Sequence, residues 1–154
     1  MKQFLWITNT SDNKAYYSDC PKKGLAVSFD AALPAETRVE IQHFLRYLRR
    51  DFYFPVKCSV YFTDHDKYSS KTGGFCYGVF FPNDGEERAK YPQIYVPARM
   101  DLHNIRHSLC FTLTEYFQWY FELDQEKSRR SLSAQAGHYA KRIMEDYYEE
   151  YGYE

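Results

Sequence analysis

Several features that would assign a function directly are missing from this sequence. No apolar run approaches the length that crosses a membrane, and the first seven residues hold one lysine and an apolar stretch too short for a secretion signal. The four cysteines lie far apart and form no C-x-x-C pair, so reduced thiols are expected. We therefore expect a cytoplasmic protein.

The sequence also has no excess of one charge. Its formal net charge is -1, which argues against a nucleic-acid binder that depends on a global positive field. Gly73 and Gly74 stand alone in a polar stretch and form no phosphate loop, and the serines lack a nucleophile-elbow motif. Cys76 and Cys110 lie in apolar patterns that favour buried, unreactive thiols. These patterns indicate neither phosphate chemistry nor nucleophilic catalysis.

Aromatic residues, in contrast, are abundant and make up 19% of the chain, with 16 tyrosines among them. A tyrosine buries its ring while its hydroxyl stays hydrated, so it suits contact surfaces as well as cores. The length of 154 residues is that of one domain. We expect a single domain over residues 1–154 that ends in an acidic, tyrosine-rich segment at 144–154.

Hydrophobic periodicity predicts an α+β order of elements. Strand-like runs rich in β-branched and aromatic residues occur at 3–8, 24–30, 56–63, 75–81 and 91–96. Helical spacing of apolar residues occurs at 34–51, from 101 to about 123 and at 132–148. Along the chain, the predicted order is therefore two strand-like runs, one helix, three strands and two helices.

Residues 94–120 carry the most informative pattern, IYVPARMDLHNIRHSLCFTLTEYFQWY. The IYV strand and the aromatic ending YFQW resemble small zincin-like metallopeptidase domains, which phages and mobile elements often encode. In that family an IYI-type strand leads into a helix that reads approximately TLAHELxHYxQW. The segment LRRDFYFP at 48–55, the VYF and YGVFF strands and the last helix at 134–147 agree with the family's order.

The resemblance covers about residues 35–150. It implies a minimal zincin-like domain, in which an antiparallel or mixed sheet of three to five strands packs against three main helices. It also implies a phage or mobile-element origin. Because a fold can host unrelated functions, the activity has to be argued from the residues of the site.

The departures from the family occur at the metal site. Zinc hydrolysis needs two histidines four residues apart on one helical face, a glutamate general base between them and a third ligand. Here Phe111 and Glu115 stand at the histidine positions, Thr112 at the glutamate position and Ser133 near the third ligand. A shifted register that places Glu115 on the catalytic glutamate also loses both histidines. We therefore expect a pseudo-metallopeptidase with no catalytic residue, no metal and no other cofactor.

Two alternative functions depend on other residues. His103 and His107 are four residues apart, a spacing that binds zinc, and with His138 as third ligand they would form a displaced site of a metal-dependent peptidase or hydrolase. Asn104 stands where that enzyme needs its general base. The second alternative is a nucleic-acid binder that uses the basic run Arg46–Arg50 and the aromatic residues after it. A solvated helix face beside core aromatics explains the same run.

We expect the protein to act through contact with a protein partner, as an inhibitor of a host defence or nucleic-acid-binding protein. Acidic and aromatic side chains in alternation can dock into a groove lined by Lys and Arg. A solvated helix end is the other explanation of the acidic segment. The predicted partner-binding residues are Tyr147, Tyr148, Glu149 and Glu150, with Trp119 and Tyr120 as a second patch.

Overall fold

A computed structural model describes residues 24–69, 73–82, 91–121 and 129–152. The predicted strand at 3–8 lies outside these ranges. Three helices and six strands occur among the described residues, in an α+β arrangement. They are β1 (Leu25–Phe29), α1 (Ala35–Asp51), β2 (Cys58–Thr63), β3 (Tyr68–Ser69), β4 (Phe75–Cys76), β5 (Val79–Phe81), β6 (Gln93–Pro97), α2 (Leu102–Phe121) and α3 (Arg129–Tyr151).

The main sheet has four strands in the order β1-β2-β6-β5. β1, β2 and β6 are parallel, and β5 pairs antiparallel with β6, so the sheet is mixed, as expected. Side chains alternate between the two faces of a strand, and in β2 the residues of one face, Cys58, Val60 and Phe62, are buried. Ile94 and Val96 continue this buried face on β6.

α1 connects two parallel strands, which requires a crossover of this kind. Its buried residues Ile41, Phe44, Leu45 and Leu48 recur at helical spacing and face the core. The helix begins after Pro34, whose carbonyl accepts a hydrogen bond from the Arg38 N–H at 3.1 Å. The predicted helix at 34–51 is confirmed to within one residue.

The two later helices complete the core. α2 is buried over most of its length, with Ile105, Leu109, Leu113 and Phe117 each 2% exposed or less, and α3 packs mainly against α2. α3 is longer than the predicted span of 132–148, so most of the acidic segment is helical. In the described part of the chain no helix has the length and apolar character of a membrane span.

The predicted strand at 75–81 is instead two short strands, which corrects the sequence analysis. β4 pairs with β3 in a separate two-stranded sheet, whereas β5 joins the edge of the main sheet. The chain changes partner at Gly78, where it passes close to α2. A Cβ atom at this position would lie 3.2 Å from Cγ2 of Thr112, closer than an ordinary van der Waals contact, so glycine suits this close approach.

Candidate functional site

A cleft of about 420 Å³ lies where the chain leaves β6 and enters α2. In open sheets with parallel strands, ligands bind in crevices at the carboxyl ends of the strands. The cleft follows the carboxyl end of β6, and its lining combines two large side chains with four polar residues. It is lined by Tyr77, Met100, Asp101, Asn104, His107 and Ser108.

The polar end of the cleft is built from the first turn of α2. Asp101 directly precedes the helix, and its carbonyl accepts a hydrogen bond from the Ile105 N–H at 3.0 Å. The Asn104 side chain donates its amide Nδ2–H to Oδ1 of Asp101 at 2.5 Å. The negative carboxylate is thereby held at the positive end of the helix dipole, where its charge is favourable.

His107 is the titratable base of the cleft. Burial lowers its pKa from the usual 6.5, and the neighbouring His103 lowers the pKa further. His103 itself faces α3, where its Nδ1 lies 2.9 Å from the Tyr148 hydroxyl. No three His, Cys, Asp or Glu side chains among the described residues form a group that could hold a metal ion. His103, His107 and His138, the alternative ligand set, are thus not assembled, and His138 is exposed on α3.

The first two residues at the family's metal positions are committed to other contacts. The Thr112 hydroxyl is buried and donates to the helix carbonyls of Ser108 and Leu109, at 2.8 and 3.0 Å. The Phe111 ring turns toward α3, where its Cε2 lies 4.0 Å from the place that a Cβ atom on Gly137 would occupy. A phenyl ring therefore lies at the α2–α3 contact where the resemblance would place an imidazole.

The other two motif positions are less enclosed. Glu115 is half-buried on α2, and Ser133 is exposed on α3. The aromatic ending of the motif has a structural role, because the buried Tyr116 hydroxyl donates to the Val56 carbonyl at 2.5 Å and accepts from the Val56 N–H at 2.9 Å. Burial raises the pKa of Tyr116 well above its usual value. Gln118 in turn donates to the Leu132 carbonyl at 3.0 Å and so ties α2 to α3.

Two of the predicted partner-binding residues are core residues instead. Tyr147 is 0% exposed and Tyr120 is 6% exposed, so neither ring is available to a partner, and the sequence analysis is corrected there. The reason is tertiary packing, because Tyr147 lies on the face of α3 that contacts Phe44 and Tyr47 of α1. Its ring meets Phe44 edge-on, with 4.6 Å between the ring centroids. Trp119 is half-buried beside Phe80.

The remaining residues of the acidic segment are partly engaged within the chain. Tyr148 is half-buried beside His103. The Glu150 carboxylate is exposed but accepts a hydrogen bond from Arg50 at 2.7 Å, whereas Glu149 is exposed. The helix ends at Gly152, whose φ of 76° is a left-handed conformation that terminates helices. Residues up to 152 therefore form a packed helix end.

The basic run on α1 is also engaged. Arg49 donates to the Leu25 carbonyl at 3.0 Å, and Arg50 contacts both Asp51 and Glu150. The hydrogen bonds to Asp51 and Glu150 raise the pKa of Arg50 above the ordinary value of a guanidinium group. Phe52 and Phe54, which follow the run, are buried in the core. These contacts fit the interpretation as a helix face beside core aromatics.

An aromatic rim, defined here as Phe75, Tyr77 and Phe81, lies on the β4–β5 segment. These side chains are 60%, 53% and 51% exposed, and Tyr77 also lines the cleft. The sequence analysis missed both features because it treated 75–81 as one continuous strand. The signal was the glycine at position 78, since a glycine inside a strand pattern often marks a break or a close backbone approach.

Comparison of the chain with protein-family models, curated proteins and solved structures found no match. The zincin-like resemblance therefore depends on the residues of α2 and α3 that carry its motif. The cleft and the aromatic rim are observed independently of that resemblance.

Proposed function

We propose that this protein is a catalytically inactive, zincin-like binding domain that acts by contact with another protein. The observation that carries the proposal is the aromatic rim beside the cleft. Rings more than half exposed are costly to leave in water, and exposed aromatic side chains near a cleft often mark contact sites. Tyrosine and other aromatic residues also supply a large share of binding energy at protein interfaces.

The absence of catalysis in this proposal is supported by the contacts of the motif residues. A phenyl ring at position 111 has no lone pair to give a metal ion. Thr112 donates its hydroxyl proton to helix carbonyls, and a neutral hydroxyl is far too weak a base to accept a proton from a zinc-bound water near neutral pH. The remaining carboxylate, Glu115, would need further ligands to hold zinc.

The contact surface that we propose differs from the one expected from the sequence. Tyr147 and Tyr120 are buried, and Glu150 is paired with Arg50, so Glu149 and part of Tyr148 are what stays accessible of the contact residues predicted on α3. The aromatic rim offers three rings that are each more than half exposed, and one of them, Tyr77, also lines the cleft. We retain from the resemblance the proposal of a phage or mobile-element origin and of a host defence or nucleic-acid-binding protein as the target.

A second candidate function is a metal-dependent hydrolase with its metal at His103 and His107. One observation favours it, namely that His107 lines the cleft and has a lowered pKa. A lowered pKa keeps the imidazole neutral, which is the form that binds metal ions. Metal analysis of the purified protein separates the two functions. If the wild-type chain binds stoichiometric zinc and the His103→Gln and His107→Gln variants lose it, the protein is a metal-dependent hydrolase and the proposal of an inactive binding domain is wrong.

The binding function itself is tested by affinity capture from a host-cell lysate. The test variant carries Phe75→Ser, Tyr77→Ser and Phe81→Ser, and the matched control carries Val39→Ser, which alters an equally exposed apolar residue on α1. We expect one partner to be retained by the wild-type chain and the control, and to be lost with the rim variant. Retention of the same proteins by all three chains would refute the rim as the contact surface.

A further inference from the structure

The cleft has an uneven charge. Asp101 is its one acidic residue, and no Lys or Arg occurs among its lining residues in the described part of the chain. Complementary charge sets which partner group an interface accepts. Building on the function proposed above, we infer that the cleft receives a lysine side chain of the partner protein, with its ammonium group on the Asp101 carboxylate.

The acceptors of the cleft suit an ammonium group. The Asp101 carboxylate has several lone pairs, of which Asn104 uses one through its Nδ2–H. The Asn104 carbonyl oxygen and the Ser108 hydroxyl are further acceptors on the same turns of α2. An ammonium group is a compact charge with three donors, so it can bind a carboxylate whose plane is already partly engaged by Asn104, where a planar guanidinium needs both oxygens free for a bidentate pair.

The walls of the cleft suit the apolar stem of lysine. Tyr77 presents an aromatic ring that is 53% exposed, and a ring face attracts a cation while it contacts methylene groups. Met100 is a flexible, polarizable side chain that adapts to an unbranched chain. A cleft of about 420 Å³ is large enough for one such side chain.

An acidic ligand fits this cleft poorly. A helix N-terminus attracts anions, but the Asp101 carboxylate already lies at this end of α2 and would repel a second negative charge. Among the described lining residues no Lys or Arg offsets the charge of that carboxylate. The electrostatics of the cleft at neutral pH are therefore those of a single fixed carboxylate.

The experiment uses the full chain, labelled with ¹⁵N, and the probe Nα-acetyl-lysine amide. The norleucine analogue is the uncharged control with the same stem. We expect the lysine probe to shift the backbone amide signals of Asn104, His107 and Ser108 in a saturable way, and the norleucine probe to leave them unchanged. Equal shifts with both probes would overturn the assignment, since the charge would then play no part.

Variants test the role of the carboxylate. Asp101→Asn removes the charge, yet asparagine is as good an N-terminal helix residue as aspartate, so the fold is retained. Asp66→Asn is the control, because it makes the same charge change at an exposed position. We expect Asp101→Asn to weaken binding of the lysine probe by roughly tenfold or more, because the variant loses a charge-assisted hydrogen bond. Asp66→Asn should leave the binding of the probe unchanged. Unaltered binding to Asp101→Asn would contradict the inference.

The two proposals fail in different ways. If the rim variant loses the captured partner while the lysine and norleucine probes behave alike, the lysine assignment fails and the binding function stands. If the lysine probe binds through Asp101 while capture does not depend on the rim, the proposed contact surface fails and the cation site stands.

Discussion

The phenolic oxygen of Tyr147 lies 2.5 Å from Nδ1 of His43 and joins the end of α3 to the middle of α1. The next residue, Tyr148, places its hydroxyl 2.9 Å from Nδ1 of His103 at the start of α2. Two consecutive tyrosines thus attach one helix to two others. The segment that the sequence presents as an acidic tail is, in the structure, part of the domain's packing.

Removing the Tyr147 hydroxyl should destabilise the fold. Tyr147→Phe keeps the ring but leaves the His43 nitrogen without its partner, and we expect the free energy of unfolding to fall by about 1 kcal/mol. Tyr147→Ala also empties the core and should cost about 3–5 kcal/mol. Urea unfolding measures both. Tyr151→Phe, at a side chain that is 40% exposed, is the control and should change little. Equal stability of Tyr147→Phe and the wild-type chain would contradict the role of this bond.

The close approach of β5 to α2 can be tested by a double-mutant cycle. In Gly78→Ala the new Cβ would lie 3.2 Å from Cγ2 of Thr112, and such overpacking should cost about 1–3 kcal/mol. Thr112→Ser removes that methyl group and keeps the hydroxyl that donates to the helix carbonyls. We expect the double variant to lose less stability than the sum of the two single variants. Strictly additive losses would mean that the two residues do not meet.

Restoring the motif tests the resemblance to zincins. The variant carries Phe111→His, Thr112→Glu, Glu115→His and Ser133→Glu, which supplies the family's ligands and general base at the matching positions. We expect it to bind about one zinc ion per chain, as measured by metal analysis and calorimetry. The control omits Ser133→Glu and should bind zinc more weakly. A folded variant that takes up no zinc would refute the register on which the resemblance rests.

His107 should make stability depend on pH. Its pKa in the folded chain is lowered from 6.5, so just below that value the unfolded chain holds a proton here that the folded chain lacks. The free energy of unfolding should therefore fall as the pH drops below 6.5, and the loss should be complete once the pH passes below the lowered pKa. Unfolding at several pH values, compared with His107→Gln, measures the effect.

An NMR titration of the His107 ring checks the cause. His103→Gln removes one of the two causes, the neighbouring charge, and should move the His107 pKa back toward 6.5. Burial, the larger cause, remains in that variant. A His107 pKa at or above 6.5 in the wild-type chain would show that the imidazole is better solvated than its place in the cleft implies.

Much of the secondary structure is readable from local patterns. The apolar residues of α1 recur every three or four positions, and those of β2 alternate, because each period places one set of side chains on one face. These patterns locate α1 to within one residue and β2 to within two at its start. They do not show that 75–81 divides into β4 and β5, since that division depends on which strand each half pairs with.

Local patterns could not separate the tyrosines that are buried from those that are exposed. Tyr147 and Tyr151 are four residues apart on one face of α3, yet they are 0% and 40% exposed. Both rings contact α1, but Tyr147 is also covered by Arg106 of α2, whereas Tyr151 lies in the last turn of the helix. The amino-acid sequence alone sets the helices and strands through short-range spacing. The cleft, its single carboxylate and the aromatic rim arise only when residues distant in the chain are packed together, because burial depends on neighbours that no local pattern specifies.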